Sequence, residues 1–529
     1  MSTPSNDDAR RPRRPSANRE PALPPSHVLQ QVNGRVLDPG TALTIKGVTP
    51  QSTVYVGPRL TISRSSDVPR VIAQLREVAD ELGWDLDDAA AEREIASHRK
   101  RLGLVRVELE VKDQRATLAP DGWVLLQQAR ARFGIEAMRG VGLDHIVTVR
   151  GGVEGNPFHE GNPFHEGNPF HEGNPFGGGA SAAMSTYAYA GSGGHQPIAY
   201  VGPAPKRRDD DCFTEVRRPV VAVLDTGCGQ HPWLDDVVDL DVRLDGDVIG
   251  YSDDSTDPEQ WPDQVGPLDG GLDTMSGHGT FICGLIHQAC PDADIVAWRI
   301  MASDGPIVES DLVDALSDIA EVARRYRDGE DSGHPIDVLS LSMGYYHETP
   351  EDELFDPTMN DILTLLGDCG VAVVCSAGND ATARPMFPAA FAPWIDGHGL
   401  NQPAASTVPV VSVGALNPNL TDALFSNAGL WVRAHAQGAA VMSTTPQFQG
   451  GLQPMARTEI YHRRRESIDP DDYTGRFALW SGTSFSAPLF AGRLAEVLGD
   501  IPADQTADGR SPAVTRSWAA VEALTDIAP

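Results

Sequence analysis

The sequence has no apolar stretch long enough to cross a membrane. Nowhere in its 529 residues is there a run of the ~18 apolar residues that a membrane helix needs. Residues 1–25 are rich in Pro, Arg and small polar side chains, and they contain no apolar run typical of a secretory signal. We therefore expect a soluble protein that binds no membrane and is located in the cytoplasm, with export by a route without a signal peptide as the alternative.

Positive charge is scarce. Lys and Arg together number 42 against 74 Asp and Glu, which gives a formal net charge of −32 at pH 7. A surface with this charge repels phosphate over most of its area. The composition therefore argues against nucleic acid as a partner and favours neutral or basic partners.

Cysteine is present but forms no metal-binding pattern. None of the six cysteines lies in a C-x-x-C pair or in a Cys/His spacing typical of zinc sites. Cys283 and Cys375 lie inside apolar runs, which predicts buried free thiols. Disulfides that involve Cys212, Cys228 or Cys290 stay open, because an even count alone does not establish them. We expect no metal site built on the cysteines.

Composition divides the chain into four segments. Residues 1–27 have the polar composition of a disordered tail, and 28–150 alternate strand-like and helix-like stretches that predict a small α+β domain. Residues 151–217 are rich in Gly, Asn, Pro, Ser and Ala, which is typical of a flexible linker. The remaining segment, 218–529, contains the motifs that point to chemistry.

The linker contains a six-residue repeat, EGNPFHEGNPFHEGNPFHEGNPF, at 154–176. Each copy carries Gly and Asn-Pro, which favour turns and extended backbone over packed structure. Three roles stay open for it: a flexible spacer, a multivalent ligand for domains that bind Asn-Pro-Phe peptides, and a target of self-cleavage.

From residue 218 the sequence alternates apolar strands with amphipathic helices. The apolar runs are PVVAVLDTG, DIVAWRIM, DVLSLSMG and VAVVCSAGN, and predicted helices separate them. This pattern predicts an α/β fold with a doubly wound, mostly parallel sheet and helices on both faces. Ligands of such sheets bind at the carboxyl ends of the strands, where the polar residues of these runs fall.

Three polar residues lie within two residues of a glycine, near predicted strand and helix ends: Asp225 in VAVLDTG, His278 in SGHGTF and Ser484 in SGTSFSAP. Singly, each residue type has an ordinary structural explanation as a helix cap or a loop residue. Together they supply what acyl transfer needs, because a serine nucleophile requires an imidazole base and the imidazole requires a carboxylate. A serine at a helix N-terminus also has backbone N–H groups directed at a developing oxyanion.

These motifs, in the order Asp, His, Ser, resemble those of the subtilisin-like serine protease family over about 218–500. The resemblance implies a subtilisin-like fold and an endopeptidase with Asp225, His278 and Ser484 as its triad. In VVCSAGND, Asn379 stands where the family keeps the amide that donates to the oxyanion. SLSMG is similar to the family's substrate-pairing strand. The implied substrate-binding residues are Ser342, Met343, Gly344, Ala377 and Gly378.

The same resemblance sets expectations for cofactors and partners. The substrate would be a protein or peptide and no cofactor is required, although family members often bind calcium. The candidate calcium ligands are Asp235, Asp236, Asp239 and Asp241. The α+β domain resembles the family's inhibitory propeptide, which implies a zymogen whose N-terminal domain is an intramolecular inhibitor. The alternatives are an unrelated partner-recruiting domain and an inactive protease fold that acts as a partner-binding scaffold.

Two further interpretations concern the cleft. Small residues predict an open primary pocket for a sizeable apolar residue, with Met343 and Gly344 on one wall and 376–378 on the other. The acidic stretch between Asp225 and His278 is interpreted as a solvated surface insertion, with a cleft wall as the alternative.

Overall fold

A computed structural model of the chain describes residues 20–87, 102–113, 117–148, 187, 193–265, 268, 271–303, 305–349, 357–448, 457–466, 473–504 and 507–529. The repeat at 154–176 lies outside these residues, so its three roles stay predictions. No helix within the described ranges is both long and apolar enough to span a bilayer.

The helices and strands have the following bounds. The helices are α1 Ser26–Gln31, α2 Val68–Leu82, α3 Gly122–Phe133, α4 His278–Ala289, α5 Glu309–Arg327, α6 Thr358–Asp368, α7 Thr483–Leu498 and α8 Arg510–Leu524. The strands are β1 Gly34–Leu37, β2 Thr53–Ser63, β3 Trp84–Leu86, β4 Leu104–Val111, β5 Val141–Val147, β6 Gln196–Pro197, β7 Val216–Arg217, β8 Val220–Asp225, β9 Val238–Asp239, β10 Arg243–Leu244, β11 Asp247–Val248, β12 Asp294–Arg299, β13 Ile307–Val308, β14 Val338–Leu341, β15 Ala372–Ser376, β16 Val411–Leu416, β17 Ala434–Gln437, β18 Val441–Thr444, β19 Arg457–Ile460, β20 Arg463–Glu466, β21 Phe477–Trp480 and β22 Ile501–Pro502.

A parallel sheet forms the centre of the segment after residue 218. Among the described residues it has seven strands in the order β17-β16-β15-β14-β8-β12-β9, and every pairing is parallel. In β8, Val220, Ala222 and Leu224 pack into one core with α5 and α6. Val221 and Val223 pack into a second core with α4, α7 and α8. Burial on both faces explains the unbroken apolar run of this strand and confirms the predicted doubly wound α/β fold.

The first domain is an antiparallel sheet that shares one apolar core with α2 and α3. Strand β2 pairs with β1, β4 and β5, and β3 pairs with β4. Asp67 and Asp121 cap the two helices, because their side chains accept hydrogen bonds from N–H groups of the first turn. Strand β5 also pairs antiparallel with β13, so the sheet continues into the second domain.

The structure describes parts of the segments predicted as tail and linker. The Ala22 N–H donates to Asp380 Oδ1 at 3.1 Å. Strand β6 pairs with β21, and β7 pairs with β22. Residue 22 and the strands at 196–197 and 216–217 therefore contact the segment after 218. The boundaries at 27, 150 and 217 rest on composition and stay predictions.

Candidate active site

Asp225 lies at the carboxyl end of β8, one of the central strands of the parallel sheet. Its side chain is fully buried, and Oδ1 accepts the N–H of Thr226 at 2.8 Å. The neighbouring strands β14 and β15 end at the same edge, where they lead into Ser342 and Asn379. The parallel topology therefore gathers three of the predicted stretches at one edge of the sheet.

His278 is the first residue of α4 and contacts Asp225 directly. The distance from His278 Nδ1 to Asp225 Oδ1 is 2.7 Å, and both side chains are fully buried. Gly277, which precedes the helix, has a φ of 80°. A β-carbon there would lie 2.8 Å from Phe448 Cζ, so both the backbone and the space require glycine. The turn at Gly277 therefore positions the His278 imidazole beside the Asp225 carboxylate.

The second ring nitrogen of His278, Nε2, can act as a proton acceptor. His278 Nδ1 lies at the carboxylate, so this hydrogen bond favours the tautomer in which Nδ1 carries the proton. His278 Nε2 is buried and has no hydrogen-bond partner among the described residues. A buried nitrogen that keeps an unused lone pair is a suitable proton acceptor.

Ser484 lies in the first turn of α7 with 2% exposure. Its Oγ is 3.4 Å from the carbonyl oxygen of Ser342, and its own carbonyl oxygen accepts from Ser342 Oγ at 2.9 Å. The next residue, Phe485, packs against the His278 ring with 5.3 Å between ring centroids. These contacts place Ser484 between two elements. One is the segment at Ser342, from the stretch that resembles a substrate-pairing strand, and the other is helix α4, which carries His278.

Asn379 is oriented by the residue before the serine. Its Oδ1 accepts from the backbone N–H of Thr483 at 2.8 Å and from Thr483 Oγ1 at 2.9 Å. The two donors fix which end of the amide is oxygen, so Nδ2 is directed away from Thr483. Asn379 is therefore anchored to the turn that opens α7.

Apart from Ser342, the predicted substrate-binding residues fall into two pairs. Met343 and Ala377 are buried in the apolar core, so they can offer only backbone to a ligand. Gly344 and Gly378 face a common neighbour, because a β-carbon on either would come within 2.7 Å of the Met386 side chain. Met386, which sequence reasoning missed, therefore fills the space between the two predicted pocket walls.

Glu259 is the second residue that sequence reasoning missed. It belongs to the acidic stretch between Asp225 and His278, yet it is only 3% exposed. It accepts hydrogen bonds from Thr226, next to Asp225, and from Gly279, next to His278. The expectation of a solvated insertion is wrong for this residue. No local pattern distinguishes it from its exposed acidic neighbours.

The acidic residues proposed for calcium do not form a cluster of ligand geometry. Asp235 accepts the N–H of His231, and Asp239 accepts the N–H of Asp241. Within the described part of the chain, the residues with metal-ligand spacing are His145, His347 and Glu348, at the contact between the two domains. Calcium binding stays a prediction.

Comparisons with known proteins identify the family of the chain. The model of the subtilase family matches residues 217–524, more than half of the chain. The chain therefore belongs to the subtilase family, and two of its curated relatives are named as serine proteases. This places it among the subtilisin-like serine endopeptidases, as the motifs predicted.

The relatives are distant. The chain is 26% identical to an intracellular serine protease of Paenibacillus polymyxa over 297 residues, which is 53% of this chain and 67% of the relative. It is 27% identical to a thermophilic serine proteinase of Bacillus sp. strain AK1, with coverages of 51% and 50%. It is 23% identical to mycosin-4 of Mycobacterium tuberculosis, with coverages of 53% and 56%. The chain thus spans half to two thirds of the length of these relatives.

A crystal structure of a cold-adapted subtilisin-like serine proteinase aligns with a TM-score of 0.35 and 19% identity, over 57% of this chain and 81% of that one. A crystal structure of a lanthipeptide protease aligns with a TM-score of 0.34 and 21% identity, over 53% and 72%.

Proposed function

We propose that the chain hydrolyses peptide bonds through a triad of Asp225, His278 and Ser484 and a covalent acyl-enzyme. The observation that carries this proposal is the 2.7 Å contact between Asp225 and His278 Nδ1, together with the unpartnered His278 Nε2. Asp225 holds the tautomer and stabilises the imidazolium that forms. His278 Nε2 takes the proton of Ser484 Oγ, and Oγ attacks the peptide carbonyl.

The remaining steps follow from the same groups. Nδ2 of Asn379 and the backbone N–H of Ser484 donate hydrogen bonds to the oxyanion of the tetrahedral intermediate. The intermediate collapses as His278 gives its proton to the leaving amine, which leaves an ester on Ser484. Water, deprotonated by His278, then attacks the ester and releases the second product. No cofactor takes part in any step.

The N-terminal domain is the intramolecular inhibitor in this proposal. Thr148, just past β5, pairs with Gly344 through two backbone hydrogen bonds of 3.0 and 3.2 Å. Gly344 belongs to the strand that resembles the family's substrate-pairing strand. A peptide that pairs there competes with the end of the first domain for the same backbone groups.

Polar contacts support the docked position of that domain. Asp144 accepts the N–H and the hydroxyl of Ser310 at the start of α5, both at 2.9 Å. Arg106 donates to Asp311 at 2.7 Å and to Asp314 at 2.9 Å. A carboxylate at the N-terminus of α5 is favourable to the helix dipole.

His145 adds a buried ionic contact between the two domains. Its Nδ1 lies 2.5 Å from Glu309 and its Nε2 lies 2.7 Å from Glu348. Burial alone would lower the pKa of His145, but the two carboxylates raise it to about 10. The histidine is therefore a cation between two anions when the domain is docked.

The test of the proposed function is labelling of the full chain with a fluorophosphonate probe. A specific protease site is inserted into the repeat at 154–176, and the protein is assayed before cleavage and again after cleavage, at a dilution at which the first domain has dissociated; we call the second form the cleaved chain. We expect the cleaved chain to be labelled and to hydrolyse peptides, and Ser484→Ala to do neither. A cleaved chain that folds but takes no label would contradict the triad and favour the scaffold alternative.

A further inference from the structure

We propose that Glu259 is a positioning residue of the catalytic triad, which acts on Asp225 and His278 through the threonines that follow each of them. This inference rests on the proposed triad. Glu259 lies in the loop that follows a short 3-10 turn at Asp254–Thr256, far along the chain from Ser484 but directly behind the Asp225 and His278 pair.

The Glu259 carboxylate joins the two catalytic motifs. Its Oε2 accepts from the hydroxyl of Thr280, two residues after His278, at 2.5 Å. Its Oε1 accepts from the backbone N–H of Gly279 at 3.0 Å and from the hydroxyl of Thr226. One buried side chain thus bonds to the residue after Asp225 and to both residues after His278, so it fixes the distance between the two motifs.

The hydroxyl groups of Thr226 and Thr280 connect Glu259 to the rest of the site. Thr226 Oγ1 lies 3.2 Å from Asp225 Oδ1 and accepts the Gly279 N–H at 2.7 Å. Thr280 Oγ1 accepts the N–H of Gly229 at 2.7 Å. The single proton of Thr226 can be donated to Glu259 or to Asp225, but not to both. The protonation state of Glu259 therefore decides how many hydrogen bonds Asp225 receives.

The environment of Glu259 makes its protonation state sensitive to pH. The pKa of Glu259 is raised to about 8, mainly by burial and also by the charges of Asp257 and Asp225, against the lowering effect of the Thr226 and Thr280 hydrogen bonds. The buried Cys283 thiol also faces this charge. Above about pH 8 the ionised carboxylate draws the Thr226 proton to itself and adds negative charge beside Asp225. That charge favours the imidazolium of His278 in the transition state.

Two expected results distinguish a positioning role of Glu259 in catalysis from a purely structural role. The kcat/KM of the cleaved chain should rise a second time as pH increases through about 8, because kcat/KM reports groups of the free enzyme. Glu259→Gln has nearly the same shape but cannot ionise, so the second rise should disappear. Above about pH 8, where the wild-type carboxylate is ionised, the same variant should have a kcat about ten- to hundredfold lower with little change in KM, since it lacks a charge that acts on the transition state and not on substrate binding.

The experiment compares wild type, Glu259→Gln, Glu259→Ala and Asp254→Asn, all as the cleaved chain. Asp254 is an exposed carboxylate of the same loop and serves as the matched control. Fluorophosphonate titration counts active sites, and kcat and KM are expressed per titrated site over pH 6 to about 10. We expect the Asp254→Asn profile to match wild type and both Glu259 variants to lack the second rise.

The outcomes are distinct. A Glu259→Gln enzyme with fewer titrated sites but wild-type kcat and pH profile per site would show a purely structural role and overturn the inference. A second rise that persists in Glu259→Gln would overturn it as well. If wild type itself takes no probe at Ser484, the proposed triad fails and the inference falls with it. If wild type is labelled and Glu259→Gln behaves like wild type, only the inference fails.

Discussion

Thr148 and Gly344 exchange two backbone hydrogen bonds across the contact between the first domain and the protease domain, at 3.0 and 3.2 Å. Thr148 follows the last strand of the first domain, and Gly344 follows β14 of the parallel sheet. The pairing uses main-chain groups alone, so it does not depend on the identity of either side chain. In the proposed mechanism, an extended substrate would use the same groups of Gly344.

The first prediction concerns this pairing. Thr148→Pro removes the N–H that donates to the Gly344 carbonyl, and we expect about fivefold faster fluorophosphonate labelling of the uncleaved chain, from the loss of about 1 kcal/mol. Thr148→Ala keeps the N–H and should label at the wild-type rate. Equal rates for all three proteins would mean that this pairing does not restrain the enzyme.

The second prediction concerns His145 and pH. In a free first domain the histidine has an ordinary pKa of about 6.5, and docking raises it to about 10. A raised pKa stabilises the docked state fully below about pH 6.5, and this contribution is lost as pH rises from there to about 10. We therefore expect labelling of the uncleaved chain to accelerate across that window, relative to the cleaved chain.

His145→Gln provides the control for that window. The variant has no charge to lose, so its ratio of uncleaved to cleaved labelling rates should be nearly independent of pH. Groups that face His145 include Glu309, Glu348, His347 and Tyr345, whose ring stacks on it at 4.8 Å between centroids. A wild-type ratio that is flat between pH 6.5 and about 10 would contradict the assignment to His145.

Sequence patterns predicted the parts of the site that depend on strand ends. Asp225 follows an apolar run that only a strand buried on both faces explains, and parallel strands bring their carboxyl ends to one edge. The positions of Asp225, the segment at 342–344 and Asn379 follow from those two facts. The same reasoning could not find Glu259, because its burial depends on a loop folding back onto helix α4.

Other features escaped prediction for the same reason. Strand β13 has two residues, too few for a recognisable pattern, and it exists because β5 of the first domain lies beside it. Met386 lies between Gly344 and Gly378 only because the tertiary fold brings these three segments together. Contacts between segments distant in sequence leave no periodicity to detect.

The third prediction concerns Met386 and specificity. If Gly344 and Gly378 line the primary pocket, Met386→Ala enlarges it, and we expect a peptide library to shift toward larger apolar residues before the cut. The variant should also lose about 2–5 kcal/mol of stability, because Met386 is only 5% exposed. Met386→Leu conserves volume and should keep the wild-type cleavage profile. An unchanged profile in Met386→Ala, with the loss of stability observed, would place the pocket elsewhere.

The fourth prediction separates the two ends of the Asn379 amide. Oδ1 accepts hydrogen bonds from Thr483, and Nδ2 is the end of the amide that can act as a donor. Asn379→Ala removes both ends and leaves the Thr483 N–H without its acceptor, so it should lose stability as well as activity. Asn379→Asp keeps an acceptor for Thr483 and removes the donor. The donor role therefore predicts that the Asp variant folds and titrates with probe, yet turns over slowly.

The size of the fall in kcat distinguishes an Asn379 that donates to the oxyanion from an Asn379 that only anchors Thr483. We expect kcat to fall by about 10²–10³ in both variants with KM nearly unchanged, the scale measured for this type of donor in subtilisin, a member of the same family. A purely anchoring Asn379 would instead give an Asp variant with near wild-type kcat per titrated site and only the Ala variant impaired. Steady-state kinetics with one peptide substrate, normalised by probe titration and paired with thermal melts, decides between the two. The comparison works because the Asp variant keeps the oxygen that accepts from Thr483 and changes only the donor end of the amide.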